Sequence, residues 1–384
     1  MPVTESDKLF LRAAVSLASR AIYQSPPNPG VGCLLVQDTK IIGRGWTQRT
    51  GGNHAEIEAL QNARIQGVNI KAVTAYVSLE PCCFTGRTPA CTEALVKAGV
   101  KRVVCAAKDP NPRVSGKGLQ ALKDAGLKVE LIELKEAQLL NPGFKKRMQQ
   151  QLPWVRVKSA MSLDGRTAMA SGESQWITGR AAREDVQHWR ACCGAIITGS
   201  GTVIADNPRL TVRGERFENR SAPPSSDNRS TIRQPLRVVL DSTLSCSPLA
   251  AVFDSSSPSL VVTLNTADVK RLQVFKALPN TRVSIQQGTS IDLEQVLQEL
   301  ASIEINEVLV EAGARLTGAF LKSPLWDEAL VYIAPKFMGQ SAMPLAGFAL
   351  EHMAETFNFS FKDVTQFDQD IRIRALNLYT DEQD

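Results

Sequence analysis

No apolar run in this chain approaches the roughly 18 residues a membrane helix needs, so no membrane partner is expected. The opening residues, Met1-Pro2-Val3-Thr4-Glu5-Ser6-Asp7, lack a basic region followed by an apolar stretch. No signal peptide is therefore expected, and the cytoplasm is the default location. No internal repeat is visible, and no G-x-G-x-x-G stretch occurs, so a standard dinucleotide fingerprint is absent. Histidine is scarce, with three in 384 residues, which makes the surroundings of each one informative.

Hydrophobic residues make up 43% and charged residues 22%, with a mean hydropathy of -0.12, which fits a soluble globular protein and disfavours wholesale disorder. At roughly 100–200 residues per domain, the length suggests two or three domains. The net charge of +5 is unevenly spread. Residues 1–150 hold 21 basic and 12 acidic residues, a balance of +9, against 23 and 27 in residues 151–384, a balance of −4. A basic N-terminal part favours an anionic ligand, either a phosphorylated small molecule or a nucleic acid, although a solvated basic surface would give the same count. Eight cysteines stand at 33, 82, 83, 91, 105, 192, 193 and 246. Without an export signal a disulfide framework is not expected. Three of them crowd between Cys82 and Cys91, and that clustering suggests a metal.

The N-terminal part reads as alternating helices and strands. Leu9, Phe10, Ala13, Ala14, Leu17 and Ala21 recur at helical spacing. Val31–Val36 and Lys40–Gly43 flank a polar turn and read as a hairpin. Helices are predicted at Ala55–Arg64, Thr92–Ala98 and Leu119–Asp124, and strands at Val73–Leu79, Arg102–Ala106 and Lys128–Ile132. Such alternation implies crossovers and a layered α/β sheet. The polar stretch Asn141–Gln151 breaks the rhythm, and a domain boundary is placed there, giving domains 1–148 and 149–384. In the second part strands are predicted at Trp154–Ser159, Ala195–Thr198, Leu236–Asp241, Leu260–Thr263, Val308–Val310 and Leu330–Ile333. Helices are predicted at Ala181–Arg190, Leu293–Ala301 and Thr317–Leu321, and Gly214–Gln234 reads as an exposed loop.

The sharpest chemical signal is His54-Ala55-Glu56 followed by Pro81-Cys82-Cys83. Catalytic zinc takes three protein ligands and leaves a fourth position for water, whose pKa it lowers towards neutrality. One His and two Cys provide that set, and a Glu two residues after the His can hold and shuttle the proton. H-x-E with a later P-C-x-x-C is the signature of zinc nucleobase deaminases. Here position 85 is Thr, so the second thiolate is Cys83 or Cys91. Adjacent thiolates on an extended segment point in opposite directions, which argues against Cys82 with Cys83. Cys91 stands where a helix should begin, and the helix dipole favours a thiolate there. The expected set is His54, Cys82 and Cys91 with Glu56 as general acid/base, and Cys83 as the alternative ligand. A lone His-Ala-Glu arises by chance and buried cysteines are often core residues, but a rare histidine, the Glu and Pro-Cys form a joint pattern.

Several segments now carry a resemblance: Asn28-Pro29 before Val31-Gly32, His54-Ala55-Glu56, Glu80-Pro81-Cys82, Gly86-Arg87-Thr88-Pro89, Cys91 and Lys108-Asp109-Pro110-Asn111-Pro112. Together they look like the pyrimidine deaminase family of riboflavin biosynthesis. The resemblance implies a cytidine-deaminase-like α/β/α layered domain, with one Zn2+ on His54, Cys82 and Cys91, Glu56 as the catalytic carboxylate and Asn28 at the substrate. Ala90 departs from the family, which usually has a second Pro there, and a small local effect on the turn is expected. Cys83 falls at a variable family position, which makes it a poor candidate for the metal.

Signals in the second part are weaker on their own. Thr198-Gly199-Ser200-Gly201-Thr202 and Glu311-Ala312-Gly313-Ala314-Arg315-Leu316-Thr317-Gly318 each follow a strand, where glycine lets backbone N–H groups approach a phosphate. As isolated segments they are more often ordinary tight turns. Arg190, Arg209 and Arg213 could hold a phosphate, though exposed arginine is commonly just surface. Lys158–Gly165, Ser174–Thr178, Gly201-Thr202-Val203, Asp206-Asn207-Pro208 and Val310–Gly313 look like the companion reductase of the same pathway. That resemblance implies a dihydrofolate-reductase-like α/β domain using NADPH. Ala160, Trp176, Thr202, Asp206, Ser242 and the loop Gly313, Ala314, Arg315, Leu316, Thr317, Gly318, Ala319 would line the cofactor. Ser174, Arg190, Leu210, Arg213 and Glu311 would contact the phosphorylated aminopyrimidine, since arginine's planar fork matches a phosphate. Lys158 and Asp206 are the candidates for organising proton delivery.

The sequence is therefore read as a bifunctional α/β enzyme, cytoplasmic, with no nucleic-acid or membrane partner. A homo-oligomer, dimer or tetramer, is expected from the family. The rival readings are a tRNA-editing zinc deaminase with an accessory domain, and a structural-zinc nucleic-acid-binding protein, which would need a fourth ligand.

Overall fold

The computed structural model describes residues 4–213 and 232–378. These fall into two compact units, one ending at Gln151 and one beginning at Leu152. Most of the expected loop at 214–234 lies outside the described residues. Among the described residues no helix is long and apolar enough to cross a membrane.

In the first unit β1 (Gly32–Gln37), β2 (Lys40–Trp46), β3 (Thr74–Val77), β4 (Arg102–Cys105) and β5 (Lys128–Leu131) form one sheet in the order β2-β1-β3-β4-β5. The pairs β1–β2 and β1–β3 are antiparallel, whereas β3–β4 and β4–β5 are parallel. Parallel neighbours need crossover connections. After α1 (Glu5–Ala18) and α2 (Ala55–Ile65), helices α3 (Cys91–Ala98) and α4 (Lys117–Asp124) supply them. Alternate strand residues serve opposite layers, as the two-residue period of a strand requires. Cys33 and Leu35 pack with Ala59, Ala63 and Leu95, while Leu34 and Val36 pack with Leu11 and Ala14. The result is the α/β/α layering expected for this half.

Two glycines set how closely α2 lies on the sheet. A Cβ at Gly45 would meet the Ala55 carbonyl at 2.1 Å, and one at Gly43 the Ala59 carbonyl at 2.4 Å. Beyond the short helix α5 (Lys135–Gln138), the polar stretch read as a break is instead helix α6 (Pro142–Gln150). Proline at its first turn costs no hydrogen bond, and Phe144 is buried while Lys145, Lys146 and Arg147 are half-buried and Gln149 and Gln150 exposed. One buried aromatic per two turns is too sparse a stripe to register as periodicity.

The second unit holds β6 (Trp154–Ser162), β7 (Arg166–Ala168), β8 (Ala195–Gly199), β9 (Leu236–Leu240), β10 (Ser259–Leu264), β11 (Thr281–Gln286), β12 (Glu307–Glu311), β13 (Glu328–Ala334), β14 (Met343–Pro344), β15 (Phe359–Phe367) and β16 (Asp370–Asn377). Nine of these build one sheet, β11-β10-β9-β8-β12-β6-β13-β16-β15, and β7 pairs with β14 apart from it. Only the β13–β16 and β16–β15 pairs of the large sheet are antiparallel. Helices α7 (Arg180–Cys192), α8 (Ser200–Asp206), α9 (Val269–Lys276), α10 (Leu293–Ser302) and α11 (Ala314–Lys322) complete the unit. Val296, Leu297, Leu300 and Phe320 cover one face over Val155, Val157 and Val310. Val186, Trp189 and Phe275 cover the other over Ile196, Val239, Leu309 and Tyr332. Mixed sheets in both units agree with the α/β class read from sequence.

Candidate functional site

His54 is the N-cap of α2 and makes no side-chain capping bond, so its ring is free to face the neighbouring segment. That segment runs from the end of β3 to Cys91, the first residue of α3. His54 Nδ1 lies 3.3 Å from Cys91 Sγ and 3.6 Å from Cys82 Sγ. The three donor atoms all fall within 4.8 Å of one another. Tetrahedral zinc, with Zn–N near 2.0–2.1 Å and Zn–S near 2.3 Å, places N and S ligands about 3.5 Å apart. The observed separations bracket that value, so the donor set fits zinc in both chemistry and span.

Two details orient the donors. Thr88 Oγ1 lies 3.3 Å from His54 Nε2, leaving Nδ1 for the sulfurs. The backbone N–H of Cys91 donates to Cys82 Sγ at 3.4 Å, as a helix N-terminus does to an anion. The hydrogen bond from Cys91, with help from His54, pulls the Cys82 thiol down to about 4. The hydrogen bond with Cys82 raises His54. Cys83 faces elsewhere, its Sγ 3.9 Å from the Arg113 carbonyl.

Glu56 sits in the first turn of α2 and is 3% exposed. Burial, reinforced by the negative charge at Cys82, raises its carboxyl to about 6. A carboxyl poised there can take and return a proton near neutral pH. Asn28, expected at the substrate, donates its backbone N–H to the Ser25 carbonyl at 2.9 Å beyond the cis Pro26-Pro27 bond.

Three further residues of this site escaped sequence reasoning. Besides Thr88, Glu80 is buried and its carboxylate accepts from the N–H groups of Asp109, Gly116 and Leu119 at 3.2, 2.9 and 3.1 Å. It thereby ties the 109–119 turn to the strand end that carries Cys82. Asp109, itself buried, has its carboxyl raised to about 7, chiefly by burial. All three lie within the motif segments; what was missing was any sign of which neighbours they would meet.

In the second unit the parallel register sets Glu311, the last residue of β12, beside Lys158 midway along β6. Arg190 at the end of α7 donates from Nε and Nη2 to Glu311 at 2.6 and 2.9 Å, and from Nη1 to the Thr211 carbonyl at 3.1 Å. Lys158 Nζ is 3.9 Å from the same carboxylate. Burial lowers Lys158, opposed by Glu311. Arg190 is thus a buried member of an ion network and not loose surface.

The two glycine turns lie together: Gly313 N donates to Thr202 Oγ1 at 3.0 Å, where α8 and α11 begin. Asp206 accepts from Ser174 Oγ at 3.0 Å. Trp176 is 64% exposed, with the Arg183 guanidinium 4.3 Å over its ring. Ala160 lies on β6, and the Ser242 carbonyl accepts from Thr263 Oγ1 at 3.1 Å. Of the Gly313–Ala319 stretch, Thr317 and Gly318 are turned into the protein, and a Cβ on Gly318 would meet Gly347 at 2.8 Å. Leu210 is buried with φ of 51°, and Arg213 is exposed and bonds Gln187 through its backbone.

Comparison with known proteins bears on both units. Residues 4–107 match the cytidine and deoxycytidylate deaminase zinc-binding region, and residues 153–373 match the RibD C-terminal domain. The riboflavin biosynthesis protein RibD of Escherichia coli is 41% identical over 95% of this chain and 98% of its own length. The solved RibD of Acinetobacter baumannii, form 1, is 44% identical, covers 97% of this chain and 99% of its own, and superposes with a TM-score of 0.85. A Thermotoga maritima structure described as a diaminohydroxyphosphoribosylaminopyrimidine deaminase/5-amino-6-(5-phosphoribosylamino)uracil reductase is 29% identical over 97% of this chain and 99% of its own, with a TM-score of 0.84.

Proposed function

The chain belongs to the RibD family of bifunctional riboflavin biosynthesis enzymes, and from that premise we propose how its residues divide the work. Residues 1–148 deaminate 2,5-diamino-6-(5-phosphoribosylamino)pyrimidin-4-one by hydrolysis. Residues 149–384 then reduce the ribosyl group to ribityl with NADPH. The observation that carries the first assignment is the convergence of His54, Cys82 and Cys91 beside a buried Glu56.

His54 Nδ1 and the two thiolates would hold one zinc ion, which when bound would act as a Lewis acid and lower the pKa of a water. Glu56 takes that water's proton and returns it to the departing amino nitrogen. Thr88 fixes the ring of His54, and Glu80 holds the 109–119 turn against the site. Asn28 contacts the substrate.

In the reductase the hydride belongs to the cofactor, so the protein's task is orientation and electrostatics. Ala160, Trp176, Thr202, Asp206, Ser242 and the Gly313–Ala319 turn bind NADPH. Ser174, Leu210, Arg213 and the Glu311-clamped Arg190 bind the phosphorylated aminopyrimidine. Lys158 and Asp206 organise proton delivery, Lys158 from its buried place beside Glu311. A cytoplasmic homo-oligomer completes the reading.

The rival readings gain no support. Relatives match across both halves of the chain, which an editing deaminase with an unrelated accessory domain does not explain. A structural zinc site would want a fourth donor, and among the described residues three converge.

The test is a coupled assay on the purified protein. Ammonia should be released from the diaminopyrimidine, followed by oxidation of NADPH. Absence of either activity from a zinc-loaded, folded protein would refute the corresponding half.

A further inference from the structure

We propose that Arg113, its guanidinium held over the ring of Phe84, recognises the phosphate of the aminopyrimidine at the deaminase centre. This rests on the deaminase reading above and adds a specificity residue to it. The Arg113 guanidinium carbon lies 3.9 Å from the Phe84 ring centroid, a closer stack than those of Arg20 on Trp46 or Arg147 on Phe144, at 5.1 and 6.0 Å.

Phe84 belongs to the segment that carries two of the donors, and Arg113 to the turn packed beside it. Phe84 lies between Cys82 and Cys91, and the Arg113 carbonyl receives the Cys83 thiol at 3.9 Å, one residue from Cys82. The Arg113 backbone is fixed in turn, its N–H donating to Asn111 Oδ1 at 3.0 Å. Glu80 anchors this same turn through three backbone N–H groups. The arginine therefore stands in a held turn with its guanidinium over Phe84, which is two residues along the chain from Cys82.

Lys8, Arg12 and Arg102 of this unit each meet a carboxylate. Arg113 is exposed and has no carboxylate partner among the described residues. Stacking uses only the face of a guanidinium. Its in-plane N–H fork stays available, and that fork matches a phosphate bidentately. The aromatic ring also restricts the side chain's freedom in advance, which lowers the entropy cost of binding. With the base at the donor cluster, the phosphoribosyl arm must lead outward, and Arg113 is a preorganised cation on that rim.

The test compares kcat/KM for ammonia release from the phosphorylated substrate and from its dephosphorylated form, using the full-length zinc-loaded chain. A hydrogen-bonded charge contact contributes about 1.5–3 kcal/mol, so Arg113→Ala should lower kcat/KM for the phosphorylated form roughly 10–100-fold, chiefly through KM. The dephosphorylated form should react with both proteins alike, and zinc content should not change. Phe84→Leu should give a smaller loss of the same kind, and Phe84→Tyr should restore wild-type values, because Phe84 acts as a positioning residue. Equal losses on both substrates, a loss confined to kcat, or no loss would overturn the proposal. So would loss of single-stranded RNA binding in Arg113→Ala with kcat/KM unchanged. A wild-type chain that released no ammonia would sink the deaminase reading and this proposal together, whereas an active wild type with an unaffected Arg113→Ala would sink this proposal alone.

Discussion

The two units build their chemistry in contrasting ways. In the first, the candidate metal donors come from two helix starts and one turn, His54, Cys82 and Cys91, all within 38 residues of chain. Short local motifs suffice there because each helix start fixes the direction of the side chain beside it. In the second, Lys158 and Glu311 are 153 residues apart and meet because β6 and β12 are parallel neighbours, with Arg190 brought to the same carboxylate by α7. The first centre is held by chain proximity and the second by sheet register. A local centre should lose its chemistry, and a register-built centre its stability, when a key residue is removed.

The largest effect should come from Glu56→Gln. General acid–base catalysis is worth roughly 10²–10⁴-fold, so ammonia release should fall by about that factor while reduction of the deaminated intermediate continues. Loss of both activities in a folded Glu56→Gln protein would break the contrast between independent centres. Next, Glu311→Ala strands the Arg190 and Lys158 cations in a buried site. Stranding a buried charge costs about 3–5 kcal/mol, so denaturant unfolding of the second unit should shift by that amount and reduction should be lost. An unchanged unfolding midpoint would show that the network is not needed for the fold.

A third measurement probes the first unit away from its metal. Asp7 is 2% exposed, and the Arg102 guanidinium holds its carboxyl well below the ordinary carboxylate value, with Tyr76 also donating at 2.7 Å. A carboxyl depressed on folding stabilises the native state above about pH 4, and that contribution is lost as the pH falls through its folded value. Asp7→Asn should therefore destabilise the unit by about 3 kcal/mol at neutral pH and flatten the acid limb of its stability curve. An acid limb that keeps its slope would assign the acid sensitivity elsewhere. The smallest effect is expected from Thr88→Val, which removes an orienting contact to His54. Zinc affinity should fall about tenfold, read by chelator competition, with no change in NADPH oxidation.

Legibility followed the same division. The helix starts at Ala55 and Cys91 and the strands β1, β3, β4, β5, β8, β9, β10, β12 and β13 stand within two residues of where apolar spacing put them. Strands β2 and β6 run three residues further, and β11, an edge strand with one buried residue, carries too little apolar signal to be read. The pair β15 and β16 escaped notice for a physical reason. On β16 the charged side chains face inward, Arg372 reaching Asp185 and Arg374 reaching Glu328, while Ile371 is 41% exposed. Trp189 lies against Arg156, Arg372 and Arg374, so the inner face is lined by cations on an aromatic ring. A hydrophobic-in, polar-out pattern reads such a strand backwards. Helix α6 was missed for the milder reason that one phenylalanine carries its burial.

The sequence alone brought out the His-Cys-Cys set, Glu56 as the candidate proton carrier and the α/β alternation, because short motifs and apolar periodicity are properties of neighbouring residues. It also narrowed the second thiolate to Cys83 or Cys91. Tertiary structure decided which ring nitrogen of His54 faces the sulfurs, that Cys83 turns to Arg113, and that Glu311 clamps Arg190. It also decided that Arg113 lies on Phe84. Each of those depends on which distant segments share an edge, and spacing along the chain carries no information about that.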